Sequence, residues 1–221
     1  MSAEPRTRID LSHTVEDGMT TYPGLPVPIV CDYLTRERSR TIYAEGTEFQ
    51  IGVITMCSNT GTYIDSPFHR YPDGIDLSEL PLEQIAEVEA VVVDGGGSVD
   101  VDSFTGVEIA GKAVLVRTGW QRHWGTPEYL TGHPFLTAAA ARHLVDSGAV
   151  LVGIDSLNID DTSTAAAGAR PVHSTLLAAG IPICEHLADL SMLPREGFRF
   201  SAVPVKIRGM GTFPVRAYAT V

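Results

Sequence analysis

Three short apolar runs constrain this chain more than any other feature. Val88 to Val93, Ala113 to Arg117 and Val150 to Asp155 are rich in Val, Leu and Ile and are bounded by Asp, Gly or Thr. Each is short for a helix, so each reads as a buried strand. The segment Thr137 to Ser147 reads instead as a helix, with Thr137 as its cap, Ala139, Ala140, His143 and Leu144 as an inward stripe, and Gly148 as its stop. It leads directly into the third strand, which makes a helix–strand unit. Ile9–His13, Ile181–Glu185, Phe200–Ile207 and Val215–Val221 read as further extended segments. Residues 81–87 read as one or two helical turns, and Pro171 opens a short helix that Gly180 ends. Strands outnumber helices and do not alternate with them strictly. The expected class is therefore a mixed α/β fold rather than a doubly wound sheet.

Length and charge exclude several functions. At 221 residues the chain supports one core, so a single domain over 1–221 is expected. A formal charge of -11 without a Lys or Arg run argues against nucleic acid and against an anionic membrane surface as partners. Cys31, Cys57 and Cys184 form no CxxC pair and leave one over in any disulfide scheme, which suits a reducing compartment. No apolar stretch follows the first residues, so no signal peptide is expected. No window approaches the ~20 apolar residues of a membrane helix. The expected location is the cytoplasm. The triplet Gly95–Gly97 lacks the frame of a phosphate loop and reads as a turn.

Two clusters carry chemistry. In Ser58-Asn-Thr-Gly-Thr-Tyr-Ile-Asp-Ser-Pro-Phe-His69, an extended backbone puts Asn59, Gly61, Tyr63 and Asp65 on one face, and Pro67 breaks the ladder so that His69 turns back. Asp65 and His69 then suit a metal site or an acid–base pair. A turn in which Asp65 binds backbone amides and His69 lies on the surface accounts for the same residues. The second cluster is His173, at a helix start, and Glu185, at a strand end between Ile183 and Leu187. A buried Glu costs several kcal/mol unless it is paired or metal-bound. A salt bridge to Arg170 or Arg208 is the plainer explanation.

The chain resembles the family of metal-dependent kynurenine formamidases, isatin hydrolases and cyclases. The resemblance runs through Ile9-Asp-Leu-Ser, Gly18-Met-Thr-Thr-Tyr-Pro-Gly, Val116-Arg-Thr-Gly-Trp120, Leu151-Val-Gly-Ile-Asp-Ser156, His173-Ser-Thr-Leu-Leu, Ile183-Cys-Glu185, Val205-Lys-Ile-Arg-Gly and Pro214-Val-Arg-Ala. It implies a swivelling β/β/α, cyclase-like fold with a strongly curved mixed sheet and flanking helices. It also implies a small-molecule substrate and a homodimer or homotetramer. In the formamidase branch the reaction belongs to tryptophan catabolism. Tyr22, Trp120 and Trp124 are candidates for an aromatic substrate wall.

The family signature H-x-G-T-H-x-D-x-P-x-H, laid on Asn59 to His69, agrees at Gly61, Thr62, Asp65, Pro67 and His69 but places Asn59 and Tyr63 where it has histidines. The resemblance assigns Asp65, His173 and Glu185 to metal binding and His69 to general base catalysis. Two imidazoles replaced by an amide and a phenol weaken a zinc site, so one divalent ion (Zn, Mn or Mg) is expected rather than a two-zinc centre. Three functions follow: a one-metal hydrolase or cyclase; a metal-free acid–base cyclase or isomerase in which Tyr63 and Asn59 supply donors; and a non-catalytic binding protein.

Overall fold

The computed structural model describes residues 6–221. Residues 1–5, on which the expectation of no signal peptide partly rests, lie outside the described residues. In chain order the elements are β1 (Arg8–Asp10), β2 (Ile29–Leu34), α1 (Arg36–Ser39), β3 (Ile51–Thr55) and β4 (Tyr63–Asp65), then α2 (Leu82–Ile85), β5 (Val88–Asp94), β6 (Ser98–Val99), β7 (Ala113–Arg117) and β8 (Phe135–Leu136). There follow α3 (Ala138–Asp146), β9 (Leu151–Ile154), α4 (Pro171–Ala178), β10 (Ile183–Glu185), β11 (Phe198–Ser201), β12 (Thr212–Pro214) and β13 (Tyr218–Thr220).

Nine strands form one sheet in the order β1-β13-β11-β5-β7-β9-β10-β4-β12. The four central strands run parallel, and the pairs outside them are antiparallel. The sheet is mixed and strongly curled, with few helices. The three apolar runs of the sequence are β5, β7 and β9, three neighbours at its centre.

Their continuous apolarity has a direct cause: both faces of the sheet are covered. Ala90, Val92 and Leu115 belong to one core cluster, whereas Val91, Val93, Val114 and Val116 pack on the other side with α3 and α4. Every alternate residue therefore needs an apolar partner, each worth roughly 1.5–3 kcal/mol when fully buried. Thr137 caps α3 by accepting from Ala140 N–H at 3.0 Å, and Gly148 follows it at φ 78°. The buried stripe of α3 is Ala140, Ala141 and Leu144, one residue round from the expected set, because the helix packs against α4 as well as the sheet.

One further expectation is corrected. The strand expected over Phe200–Ile207 ends at Ser201, and beyond it only an isolated bridge joins Pro204 to Val215. Pro204 has no N–H with which to continue a ladder. β2 and β3 form a hairpin outside the main sheet, on which Ile29, Val30, Ile51, Val53 and Ile54 are all exposed. Among the described residues no helix is long and apolar enough to cross a membrane.

Candidate active site

The site forms where β4 lies between β10 and β12. Antiparallel pairing sets Tyr63 opposite Glu185 and Asp65 opposite Ile183. Ile64 and Cys184 point into one core cluster, so alternation turns Tyr63, Asp65 and Glu185 to the opposite face, beneath α4. On the other edge β12 sets Thr212 directly across from Asp65. The strand is shorter than its sequence suggests: it begins at Tyr63, and Gly61 at φ 67° interrupts the extended run before it. Asn59 nonetheless reaches the same cavity as Tyr63.

His69 lies in the 3-10 turn Pro67–His69 immediately after β4. Its backbone packs so tightly on Gly211 that a Cβ there would overlap it. Thr212 Oγ1 donates to Asp65 Oδ1 and lies 2.8 Å from His69 Nδ1. A hydroxyl has one proton. Since Thr212 gives it to Asp65, the bond to His69 requires Nδ1–H as donor, which leaves His69 Nε2 with a free lone pair.

His173 is the third residue of α4, a helix begun by Pro171. The cap of that helix comes from elsewhere: Asp160 accepts Val172 N–H at 2.7 Å through Oδ1, and His173 N–H at 3.0 Å through Oδ2. The same Oδ2 lies 2.6 Å from His173 Nδ1. Asp160 thus orients the imidazole and directs Nε2 into the site, 3.7 Å from both Asp65 Oδ2 and Glu185 Oε1.

Glu185 is fully buried, yet no arginine meets it. Oε2 accepts the Tyr63 hydroxyl at 2.6 Å and Asn158 Nδ2 at 3.5 Å, and Oε1 accepts Ile159 N–H at 2.6 Å. Arg170 and Arg208 are not its partners, and three neutral donors satisfy it instead. Burial raises its pKa to about 7, and the charge of Asp65 adds to this, while His173, Tyr63 and the Ile159 amide pull it back. Burial also drives the Tyr63 hydroxyl well above its ordinary value, reinforced by Glu185 and Asp65, so Tyr63 stays protonated. Burial pushes His173 down, but Asp160, Asp65 and Glu185 outweigh it and hold it up at about 10.

These groups fit a cation. Asp65 Oδ2 is buried without a hydrogen-bond partner. Asp65, Asp160 and Glu185 have no exposed surface and share one low-dielectric space, where three acids outnumber the single positive charge that His173 can supply. One ligand atom each from Asp65, His69 and His173 lies within 4.8 Å of the others. Mixed carboxylate and imidazole donors suit Zn²⁺ or Mn²⁺. A second ion of the zinc type would lack ligands, because Tyr63 offers a hydroxyl whose proton is committed to Glu185.

Asn59, Tyr63, His69, His173, Glu185 and Tyr22 line one cavity of about 540 Å³. Asp65 lies beneath them, fully buried. Trp120 and Trp124 do not line it. Trp120 donates Nε1–H to the Tyr129 carbonyl at 3.0 Å, and Trp124 stacks on His13 with ring centres 3.9 Å apart. Trp124 and His13 line a separate cavity of about 740 Å³. The loop that carries both tryptophans is held by Asp155, which accepts Thr118 N–H at 2.7 Å and Gly119 N–H at 2.8 Å.

Asp160 and Thr212 are absent from the sequence reading. Asp160 has no capping position adjacent to α4, since the ten residues 161–170 separate it from Pro171. Thr212 reaches Asp65 only through β4–β12 pairing, 147 residues away along the chain. Neither leaves a local signal.

Comparison with known proteins identifies the family. The family model for cyclases, described as "Putative cyclase", matches residues 9–161. The chain is 27% identical over 212 residues to the kynurenine formamidase of Geobacillus thermodenitrificans, covering 95% of each protein. Isatin hydrolase A from Labrenzia aggregata, solved with benzyl benzoate, superposes with a TM-score of 0.83 over 98% of this chain and 94% of that one. At 23% identity it speaks for the fold alone. A structure titled a potential metal-dependent hydrolase with cyclase activity has a TM-score of 0.77 and 25% identity, covering 98% of both chains. The chain belongs to the cyclase family and is a hydrolase.

Proposed function

We propose that the chain hydrolyses a small amide, of the N-formyl arylamine type, with one bound divalent ion and His69 as general base. The observation that carries this reading is the orphaned, buried Asp65 Oδ2 facing His173 Nε2 at 3.7 Å, with Glu185 Oε1 at the same distance from that nitrogen. Asp65, His173 and Glu185 would hold the ion, which supplies Lewis acidity toward a carbonyl and lowers the pKa of water.

The remaining steps belong to the chain's own side chains. His69 Nε2, left basic by the Thr212 bond at Nδ1, takes a proton from the attacking water as the new C–O bond forms. It returns that proton to the amine nitrogen as the C–N bond breaks. A carboxylic acid and an amine leave, and His69 ends as it began. Thr212 keeps His69 and Asp65 in one hydrogen-bonded line. Asp160 holds the His173 ring so that Nε2 faces the site.

The metal-free alternative loses its main donor, because the Tyr63 proton is bonded to Glu185 rather than free for an oxyanion. The name of the Geobacillus relative supports the formamidase substrate. The solvent-facing apolar residues of the β2–β3 hairpin support assembly as a homodimer or homotetramer, and the three free cysteines support a reducing, cytoplasmic setting.

The test is elemental mass spectrometry on protein purified without chelator or affinity-tag metal, beside Asp65→Ala. About one ion per chain, lost in the variant along with formate release from an N-formyl arylamine, is the expected outcome. No ion after soaking in Zn²⁺, Mn²⁺ and Mg²⁺ would sink the proposal.

A further inference from the structure

Glu185 and His173 are both held by one stretch of irregular backbone, residues 156–162, which follows β9. From it come the Ile159 N–H and the Asn158 amide that Glu185 accepts, and the Asp160 carboxylate that takes three donors at the start of α4. Asp160 Oδ2 serves both His173 N–H and Nδ1, at 3.0 and 2.6 Å, so a small shift of the loop loses one of the two bonds. The stretch belongs to no ladder or helix, and its position must come from neighbouring groups.

The segment 133–136 holds it at three points. Ser156 Oγ donates to the Pro134 carbonyl at 2.7 Å, Leu136 N–H donates to the Ile159 carbonyl at 2.9 Å, and Thr162 Oγ1 lies 2.8 Å from His133 Nε2. The direction of the last bond follows from the other ring nitrogen. His133 Nδ1 lies 3.0 Å from the Pro134 carbonyl, which can only accept, so Nδ1 carries the proton. Burial lowers the pKa of His133, with Arg170 acting in the same sense and the Pro134 carbonyl and Asp161 opposing, and the ring stays neutral. Nε2 is therefore an acceptor, and Thr162 donates to it. His133 itself is 5% exposed and does not line the 540 Å³ cavity.

We propose that His133 is a positioning residue: through Thr162 it fixes residues 156–162, so that Asp160 meets His173 and Ile159 meets Glu185 in the geometry that holds the ion. Thr162 lies only two residues beyond Asp160, so loosening this anchor reaches the carboxylate directly. The proposal rests on the hydrolytic reading above for the ion, and on the loop's own bonds for the positioning.

The first test is a double-mutant cycle on Zn²⁺ affinity, read by chelator competition. Thr162→Val removes the donor and keeps the side-chain volume, whereas Thr162→Ser keeps the hydroxyl. The valine variant should bind Zn²⁺ about fivefold more weakly, the loss expected for one hydrogen bond, and serine should restore most of it. His133→Leu should match the valine variant. In an Asp160→Asn background, Thr162→Val should cost less than about twofold, because the carboxylate it orients is already gone. Equal losses in both backgrounds, or native affinity in the valine variant, overturn the proposal.

A second readout needs no metal. Asp160 accepts the amides of Val172 and His173, so their hydrogen exchange should quicken in Thr162→Val but not in Thr162→Ser, with Val114 of β7 unchanged. This result in a chain that binds no ion upholds the positioning role and sinks only the hydrolytic reading. Unaltered exchange at both α4 amides, or equal quickening at Val114, overturns the role whatever the metal content.

Discussion

The Tyr63 hydroxyl donates to Glu185 Oε2 at 2.6 Å across the β4–β10 ladder, so a phenol occupies the place the family signature gives to an imidazole. Both groups are buried, and the pair converts a would-be metal ligand into a hydrogen-bond donor. Tyr63→Phe should cost about 1–3 kcal/mol, since it leaves a buried carboxylate oxygen with only Asn158 at 3.5 Å. Urea denaturation reads this directly, and a loss below ~0.5 kcal/mol would contradict the assignment.

Restoring the signature should restore its ligands. The double variant Asn59→His, Tyr63→His places two imidazoles in the cavity next to Asp65 and Glu185. Its zinc content by elemental mass spectrometry should rise above that of the parent. An unchanged ratio would show that some other feature of the site limits it.

Asp160 should be felt through His173. Its Oδ2 bonds His173 Nδ1 at 2.6 Å, and partners of this kind typically contribute 10–100-fold to metal affinity. Asp160→Asn retains an acceptor for the α4 amides, so the helix should survive while the imidazole loses its anionic partner. Metal affinity by chelator competition should fall by about that factor, with circular dichroism unchanged. Undiminished affinity would refute the role.

Thr212→Val removes the hydroxyl between Asp65 and His69, whereas Thr212→Ser keeps it. The valine variant should lose about tenfold or more in kcat with little change in KM, and serine should recover most of it. If both variants behaved alike, the hydroxyl would not be what orients His69.

Acid sensitivity should arise in part at His13. Burial against Trp124 lowers its pKa from 6.5 to about 4. Below pH 6.5 the unfolded chain takes up a proton that the folded chain refuses. Stability is therefore complete above that pH and falls as pH drops toward about 4, at no more than about 1.4 kcal/mol per pH unit for this group. His13→Phe should flatten the slope of unfolding free energy against pH in this window. An equal slope in both proteins would exclude His13 as its source.

The sequence by itself determined the central strands, because burial on both faces leaves a run such as Val88–Val93 apolar at nearly every position. It determined the boundaries of α3 through Thr137 and Gly148, and it singled out Asn59, Tyr63, Asp65, His69, His173 and Glu185, which the fold brings together. Those signals are local, or they belong to a motif contiguous in the chain. Only the tertiary structure decided the partners. Strand register sets Thr212 on Asp65 and Tyr63 on Glu185, and a distant loop supplies Asp160 to His173. It also took Trp120 and Trp124 away from the cavity and set Arg70 and Arg170 beside it. Hydrogen-bond partners of this kind depend on which strands lie side by side, and the side chains themselves carry no mark of that choice.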